Sequence, residues 1–218
     1  MAPRAVHSIR HAEGYHNSEE NENIPDPDLT PQGRSQCAHL STIFPFFDRV
    51  DLVCASPIRR AVQTALVGME PYLQSGGRRQ AGHHAQRHRA PTEEYGSVVD
   101  FQRCQDTYVD YDSKEGRWAP DGNALEKRAL ELRRFLRDRD EQEVVVVSHG
   151  DFLHFVTGDL NEDGSQAKGW WKNAEFRSYR FYPVEHEDAL LQETDESVKM
   201  RNASGPGETK GSGTNGSP

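Results

Sequence analysis

The chain has 218 residues, with 26 lysines and arginines against 35 aspartates and glutamates, so its net charge at pH 7 is -9. This acidic balance argues against nucleic acid as a partner, because a phosphate backbone is bound by a basic surface. The length suits one α/β domain with some surplus. No apolar run approaches the length of a membrane span, and the first residues carry no signal-peptide core. We therefore expect a cytoplasmic protein that makes no membrane contact.

Cysteine usage agrees with that location. Cys37, Cys54 and Cys104 are widely spaced and form no C-x-x-C pair. We interpret them as buried free thiols in a reducing compartment.

Ala5, Val6 and Ile9 give a short apolar pattern that predicts a buried first strand. Loops at the end of such a strand open onto the crevice where α/β proteins bind ligands. Arg10, directly after the strand, has a planar fork of donors that suits a phosphate, and Asn17 adds an amide donor. The imidazole of His11 could attack phosphorus in its neutral form, since it titrates near about pH 6.5. Gly14 would let the backbone turn closely around an anion.

The next elements are a loop and a helix. Residues 18–28 are too polar for a core and predict the loop. Thr30 can cap the helix that follows, and Pro31 suits its first turn. Pro45 is expected to end it. The inward face is predicted at helical spacing from Cys37, Leu40, Ile43 and Phe44.

A second strand is predicted over residues 51–55, followed directly by a second helix. Ser56 is a candidate N-cap, with a proline at the first helical position. Arg60 falls in the first turn, near the strand end that would face the same crevice as His11. A positive charge there opposes the helix dipole, which is easier to understand if an anion lies between the two residues. We interpret the neighbouring Arg59 as a surface residue. The inward stripe is predicted as Ile58, Ala61, Val62 and Ala65.

Residues 74–92 interrupt this pattern, because they are basic, rich in glycine and nearly without apolar residues. They predict a mobile loop that supplies no core strand, at the start of an irregular insertion over 74–118. His83, His84 and His88 suggest a metal site at first sight. No cysteine or carboxylate is interleaved at ligand spacing, so we predict no metal.

The second half of the chain repeats the opening design. Residues 144–147 are four valines, which predict a central strand buried on both faces. His149 and a glycine come just after it, as His11 follows the first strand. An alternating run over residues 177–182 predicts an edge strand. A helix capped near Asp121 precedes the valines, with an inward face predicted from Leu125, Ala129, Leu132 and Phe135.

Together these motifs resemble the histidine phosphatase superfamily, the group that contains the cofactor-dependent phosphoglycerate mutases. They occur in the family's order over residues 5–158, which makes the joint match specific. Residues 173–177 resemble a fungal-type branch of phosphoglycerate-mutase-like proteins. The matching segments are Arg10-His11-Ala12-Glu13 with Asn17, residues 29–33, residues 56–65, and Ser148-His149-Gly150.

The resemblance implies a three-layer α/β sandwich, in which a central, mostly parallel sheet carries helices on both faces. We assign residues 1–187 to this catalytic domain. The polar residues 188–218 are predicted to form a disordered tail.

The resemblance also implies a phosphatase that hydrolyses a small phosphorylated metabolite through a phosphohistidine, with neither metal nor other cofactor. His11 would attack the phosphoryl group in line. Arg10, Asn17, Arg60 and His149 would hold its oxygens and neutralise charge in the transition state.

A carboxylic acid is expected to protonate the leaving oxygen. The family places it after the strand that follows the helix with the second arginine, and here that strand should lie within residues 76–92. We predict Glu94 as the acid, acting with the two histidines as the catalytic set. Glu93 and Asp100 are the alternatives.

Two other functions stay open. A phosphomutase of the phosphoglycerate mutase type would pass the phosphoryl group to another substrate hydroxyl. It calls for a pocket closed against water, and the polar stretch 74–92 argues against that. A non-catalytic phosphate-binding relic would keep Arg10, Arg60 and His149 but lack a working acid. The only partner predicted is a small phosphorylated substrate, and no oligomeric state is predicted.

Overall fold

The computed structural model describes residues 2–19, 24, 26–76, 78–81, 94–95, 115–161 and 163–203, with 78–81 described by their backbone alone. Within these ranges six strands form one sheet, in the order β3-β2-β4-β1-β5-β6. The strands are β1 (Ala5–Arg10), β2 (Leu52–Ala55), β3 (Arg78–Ala81), β4 (Glu143–Ser148), β5 (Phe176–Phe181) and β6 (Leu191–Glu193). The helices are α1 (Tyr15–Ser18), α2 (Pro31–Ile43), α3 (Arg59–Gly68), α4 (Glu70–Gln74), α5 (Gly122–Arg137), α6 (Gly150–Thr157) and α7 (Asp195–Ala203), with a 3₁₀ turn at Gly116–Trp118.

The centre of the sheet is parallel. Strand β4 pairs in parallel with β1 on one side and β2 on the other, and β2 pairs in parallel with β3. Strands β5 and β6 complete the sheet in antiparallel orientation. The predicted mostly parallel sheet is confirmed.

Both faces of the sheet are covered, and β4 explains why. Successive side chains of a strand point to opposite faces, and all the residues of β4 are buried. Val145 and Val147 pack in the cluster that contains residues of α2, α3 and α4. Val144 and Val146 pack in a second cluster with residues of α5 and α6. The three-layer arrangement is therefore confirmed.

The start and the end of α2 agree with the prediction, whereas one residue of its predicted inward face is exposed. The side chain of Thr30 accepts a hydrogen bond from the Gly33 N–H and caps the helix. Ile43, predicted on the inward face, is 47% exposed. The helix ends there, and the next residue, Phe44, leaves the helical path and buries its ring in the core instead.

Strand β3 corrects the prediction that residues 74–92 form a mobile loop, and it lies within residues 76–92, where the resemblance placed a strand. Residues 78–81 pair with β2 along the edge of the sheet. An edge strand is held by backbone hydrogen bonds on one side, so it does not require the apolar side chains of a central strand. The rest of the predicted insertion, apart from residues 74–76, 94–95 and 115–118, lies outside the described residues.

The C-terminal strands differ from the prediction as well. Strand β5, predicted at the edge, lies between β1 and β6. Residues 191–193 and 195–203, which we assigned to a disordered tail, form β6 and α7. The short β6 adds to the free side of β5 by backbone pairing, which its polar composition does not reveal. Residues 204–218 lie outside the described part of the chain.

Two further expectations concern membranes and cysteines. In the described ranges, none of the helices has the length and apolar character that crossing a bilayer requires. Cys37 and Cys54 are buried and free, as predicted. Cys104 lies outside the described residues.

Candidate active site

The two predicted histidines leave the sheet side by side. Strands β1 and β4 run in parallel register with Arg10 opposite Ser148, so the next residue of each strand is a histidine. The His11 N–H donates to the Ser148 carbonyl at 2.8 Å. The ring centroids of His11 and His149 lie 5.1 Å apart. Parallel pairing thus brings together two motifs that are separated by most of the chain.

Arg60, the second residue of α3, bridges the two rings. Its Nε lies 3.3 Å from His11 Nε2, and its Nη2 lies 3.2 Å from His149 Nδ1. Burial lowers the pKa of Arg60 to about 10, and the charge of Arg10 adds to that shift while Asp26 opposes it. The guanidinium therefore stays protonated at neutral pH and places a positive charge between the imidazoles.

His11 is held in one tautomer. Its Nδ1 lies 2.7 Å from the Ala12 carbonyl oxygen, which can only accept a hydrogen bond. The proton is therefore assigned to Nδ1, and Nε2 carries the lone pair. Burial lowers the pKa of His11 well below its ordinary value, and the Arg60 charge lowers it further. The ring is thus neutral at physiological pH, with the unprotonated nitrogen toward Arg60.

The partners of His149 assign its proton to the opposite nitrogen. Because arginine only donates, His149 Nδ1 accepts from Arg60, and Nε2 carries the proton. Nε2 lies 2.9 Å from the Ser56 hydroxyl, to which it donates. Ser56 is therefore not the helix N-cap we predicted: α3 begins at Arg59, with Ile58 as its N-cap. Its role as a partner of His149 was missed, since a hydroxyl before a proline fits a cap equally well.

The sequence motifs over 29–33 and 56–65 hold the turn after β1. Thr64 of α3 accepts a hydrogen bond from the Ala12 N–H at 2.9 Å. The Thr30 N–H donates to the Glu13 carbonyl at 3.0 Å. A Cβ atom on Gly33 would lie 2.1 Å from that same carbonyl oxygen, so only glycine allows α2 to pack this closely.

A loop over residues 170–175, here the 170–175 loop, contacts both residues of the Arg-His pair. The Arg10 N–H donates to the Glu175 carbonyl at 3.0 Å, and the Arg10 guanidinium donates to the Trp171 carbonyl. Asn173 donates from its side-chain amide to the His11 carbonyl at 3.1 Å. The sequence did not predict these contacts, although residues 173–177 resemble a segment of phosphoglycerate-mutase-like proteins.

The 170–175 loop is itself fixed by a buried arginine. Arg177 Nε lies 2.7 Å from Glu175 Oε1, and its Nη2 donates to the Trp170 carbonyl at 3.3 Å. The guanidinium also pairs with Asp159 and lies over the Trp171 ring, 4.1 Å from the centroid. Arg177 therefore supports the loop from beneath without touching the histidines.

Asn17, a predicted phosphate ligand, lies in α1. Its Oδ1 accepts a hydrogen bond from the Gly14 N–H at 3.2 Å. Its role in phosphate binding stays a prediction.

Glu94, the predicted acid, is paired with a cation. Its carboxylate contacts the Arg59 guanidinium, and its side chain is 47% exposed. A hydrogen bond from Tyr95 lowers the pKa of Glu94, and Arg59 lowers it further. In the free protein this environment favours the ionised carboxylate, whereas a general acid must carry a proton. Glu93 and Asp100 lie outside the described residues.

Arg59 differs from the prediction of a surface residue. Its side chain is only 14% exposed, and besides Glu94 it pairs with Asp28 and Asp26 at 3.6 and 3.8 Å. A long side chain beside a turn is buried by its ion pairs, which sequence position alone does not reveal.

A metal site was not predicted. Among the residues that the structure describes, no three His, Cys, Asp or Glu side chains form a group that could hold a metal ion. His83, His84 and His88 lie outside those residues.

Comparison with known proteins identifies the family. The chain matches the sequence model of the histidine phosphatase superfamily, branch 1, over residues 6–187. A phosphoglycerate mutase-like protein of Arabidopsis thaliana is 24% identical over 208 residues, which cover 73% of this chain and 76% of that protein.

Solved structures share the fold at low identity. A mycobacterial glucosyl-3-phosphoglycerate phosphatase complexed with VO3 superposes with a TM-score of 0.53 at 16% identity, covering 88% of this chain and 97% of that one. A phosphoserine phosphatase of Entamoeba histolytica in complex with 3-phosphoglyceric acid gives a TM-score of 0.53 at 17% identity, covering 88% and 95%. None of these relatives tests the resemblance to a fungal-type branch, which stays a prediction. With most of its length matched by the family's sequence model, this chain belongs to branch 1 of the histidine phosphatase superfamily.

Proposed function

We propose that this protein is a phosphatase that hydrolyses a small phosphorylated metabolite through a phosphohistidine on His11. The observation that carries the proposal is the contact between His11 Nε2 and Arg60 Nε, 3.3 Å apart. In the free protein Arg60 Nε–H donates to this nitrogen, so the His11 lone pair lies beside a fixed positive charge. A phosphoryl dianion that takes over the guanidinium would free the lone pair for in-line attack.

Binding of the phosphoryl group is assigned to four side chains. Arg10 and Arg60 supply charge, and Asn17 supplies an amide donor. His149 would redirect its Nε2 proton from Ser56 to a phosphoryl oxygen. Such pre-positioned donors stabilise charge that develops on the phosphoryl oxygens without a reorganisation cost at the moment of reaction. We therefore propose that no metal or other cofactor is needed.

The reaction has two steps. The lone pair of His11 Nε2 forms a bond to phosphorus, and the bond from phosphorus to the leaving oxygen breaks, with its electron pair going to that oxygen. The leaving oxygen takes a proton from a general acid. Water then attacks phospho-His11, the nitrogen–phosphorus bond breaks, and phosphate and neutral His11 are released after the water has lost a proton to the same acid–base group.

Glu94 is the proposed general acid. To act as one, it must be protonated when substrate is bound, although its pairing with Arg59 favours the carboxylate in the free protein. That pairing favours a second candidate function, a phosphate-binding protein that turns over slowly or not at all. A phosphomutase is the third candidate and differs only in the acceptor of the phosphoryl group, which would be a substrate hydroxyl rather than water.

The proposed partner is a small phosphorylated substrate, and the proposed location is the cytoplasm. The free thiols of Cys37 and Cys54 agree with a reducing compartment.

A panel of phosphorylated metabolites tests the proposal through released phosphate. Phosphoserine and glucosyl-3-phosphoglycerate belong in the panel, because two structural neighbours are phosphatases named for them. We expect release from at least one compound by the wild type and none by His11→Ala. The control is His39→Ala, which removes an exposed histidine of α2. Release at the wild-type rate by a folded His11→Ala protein would overturn the proposal.

A further inference from the structure

A third histidine faces the site without a role in the reaction described above. His16 lies in α1, and its ring centroid is 5.5 Å from that of His11. Its Nδ1 is shielded from solvent and has no hydrogen-bond partner among the described residues. A shielded polar atom without a partner costs free energy, so it calls for a group that binds there.

Gly14 leaves the space that this ring occupies. A Cβ atom on Gly14 would lie 2.9 Å from His16 Nδ1 and 3.2 Å from the Asp28 carbonyl oxygen. Gly14 has a φ of -106°, a conformation that any residue adopts. The absence of a side chain here is therefore explained by the room that His16 needs, rather than by backbone freedom.

The charged groups that face His16 are cations. Burial lowers the pKa of His16 to about 4, and Arg60 from α3 and Arg10 from the end of β1 contribute to the shift. His11, neutral as argued above, is the other titratable ring beside it. A phosphoryl dianion held by Arg10 and Arg60 would offset both positive charges, and would thereby remove part of what keeps His16 unprotonated.

We propose that His16 is a third histidine of the phosphoryl-binding site, which contacts the bound anion and takes up a proton from solvent as the anion binds. This inference rests on the proposed function only in assuming that Arg10 and Arg60 hold the phosphoryl group. It adds a hydrogen bond between an imidazolium and the anion, which forms in the complex and not in the free protein.

Calorimetry with sulfate tests the inference without turnover. Sulfate is a suitable probe because it stays a dianion at neutral and mildly acidic pH, so every proton taken up comes to the protein. Binding heats measured in two buffers with different ionisation enthalpies give the number of protons taken up. We expect wild type to take up nearly one proton more than His16→Gln when sulfate binds at about pH 5.5. At about pH 8 the difference in proton uptake should be much smaller.

Affinity is the second readout of the same experiment. At about pH 5.5, His16→Gln should weaken sulfate binding by roughly tenfold to a hundredfold, the range for one charge-assisted hydrogen bond, with a smaller loss at about pH 8. The matched control is His39→Gln, which removes an exposed histidine of α2 outside the matching segments and should leave both quantities unchanged. Gly14→Ala, which keeps His16 but crowds its ring, should weaken binding in the same direction.

Three results would contradict either the role of His16 or the anion pocket, and each can be told from the others. Equal proton uptake and equal pH dependence in wild type and His16→Gln would overturn the role of His16 and leave the proposed function intact. Failure of wild type to bind sulfate at all would contradict the anion pocket itself. If His16→Gln does not fold, NMR titration of the His16 ring in wild type decides: its pKa must rise when sulfate saturates the protein, and an unchanged value overturns the inference.

Discussion

Asn173 donates a hydrogen bond from its side-chain amide to the backbone carbonyl of His11, 3.1 Å away and 162 residues distant in the chain. The contact fixes the backbone that carries the predicted nucleophile, and it comes from a loop that contains no predicted catalytic residue. Positioning of this kind matters because small displacements of a reacting group lower the rate steeply.

Replacement of Asn173 by alanine should therefore lower kcat more than it raises KM. Loss of one hydrogen bond of about 1 kcal/mol corresponds to roughly a fivefold lower kcat, with phosphate binding nearly unchanged. Steady-state kinetics on an aryl phosphate measure both constants. Asn161→Ala removes an exposed asparagine whose amide bonds to Ser165 and serves as the control. A lower Tm with unchanged kcat would assign Asn173 a purely structural role.

Substitution of Glu94 separates an acid from an ion-pair partner. An aryl phosphate such as p-nitrophenyl phosphate has a good leaving group, whereas an alkyl phosphate needs a proton on its leaving oxygen. General acid catalysis contributes about 10²–10⁴-fold, so Glu94→Gln should slow alkyl phosphate hydrolysis by a large part of that factor and aryl phosphate hydrolysis little. Glu185→Gln, at an exposed site, is the control.

Other outcomes of that comparison are also informative. Equal losses on both substrates would show that Glu94 acts through Arg59, its ion-pair partner. If His16→Gln, and not Glu94→Gln, slows alkyl phosphate hydrolysis more than aryl phosphate hydrolysis, His16 rather than Glu94 is the proton donor. A wild type that cleaves only the aryl phosphate would favour the phosphate-binding alternative.

Metal chelation should leave the rate unchanged. The proposed site balances the phosphoryl charge with arginine and histidine side chains, so EDTA removes nothing that the reaction uses. Phosphate release is measured before and after dialysis against the chelator. A loss that zinc or magnesium restores would contradict the metal-independent mechanism and would promote His83, His84 and His88 to candidate ligands.

Acid should destabilise the fold below about pH 6.5, the ordinary pKa of histidine. Burial lowers the pKa of His7, with its bond to Glu143 opposing the shift, and burial also lowers the pKa values of His11 and His16. Above that pH these rings are neutral in both states, so stability does not change through them. As the pH falls, the unfolded chain takes up protons first, and the free energy of unfolding decreases.

Thermal unfolding followed between about pH 7 and about pH 4.5 measures this effect. We expect Tm to fall as the pH is lowered across the interval. In His7→Gln the fall should be less steep, because one of the titrating groups is absent. At neutral pH the variant should lose about 1–3 kcal/mol of the free energy of unfolding. Glu143 adds its own loss only below about pH 4.5, since its pKa lies under the ordinary carboxyl value. A Tm that stays constant over the interval would contradict the buried neutral histidines.

The central strands and the paired histidines could be predicted because they depend on strong local patterns. The four valines at 144–147 require burial on both faces, and that fixes β4 in the middle of the sheet. Ala5, Val6 and Ile9 predict a second buried strand at the start of the chain. Once both strands are parallel, His11 and His149 must emerge at the same edge.

Other features could not be predicted, because they depend on tertiary position. Strand β3 is a polar edge strand, and β6 is three residues long, so backbone pairing rather than side-chain pattern creates both. The 170–175 loop binds Arg10 through backbone carbonyl groups. Every residue has such a group, so no side-chain pattern reveals the contact. The partner of Glu94 is a neighbouring arginine that the sequence assigned to the surface.

The phosphohistidine on His11 can be sought directly by identifying which residue is phosphorylated during turnover. Wild-type protein is mixed with p-nitrophenyl phosphate, quenched within milliseconds in alkali, which preserves phosphohistidine, and analysed by peptide mass spectrometry. We expect one phosphoryl group on His11 in wild type and none anywhere in His11→Ala. Steady turnover with no phosphoryl group on His11, or with the group on another residue, would contradict the proposed phosphohistidine.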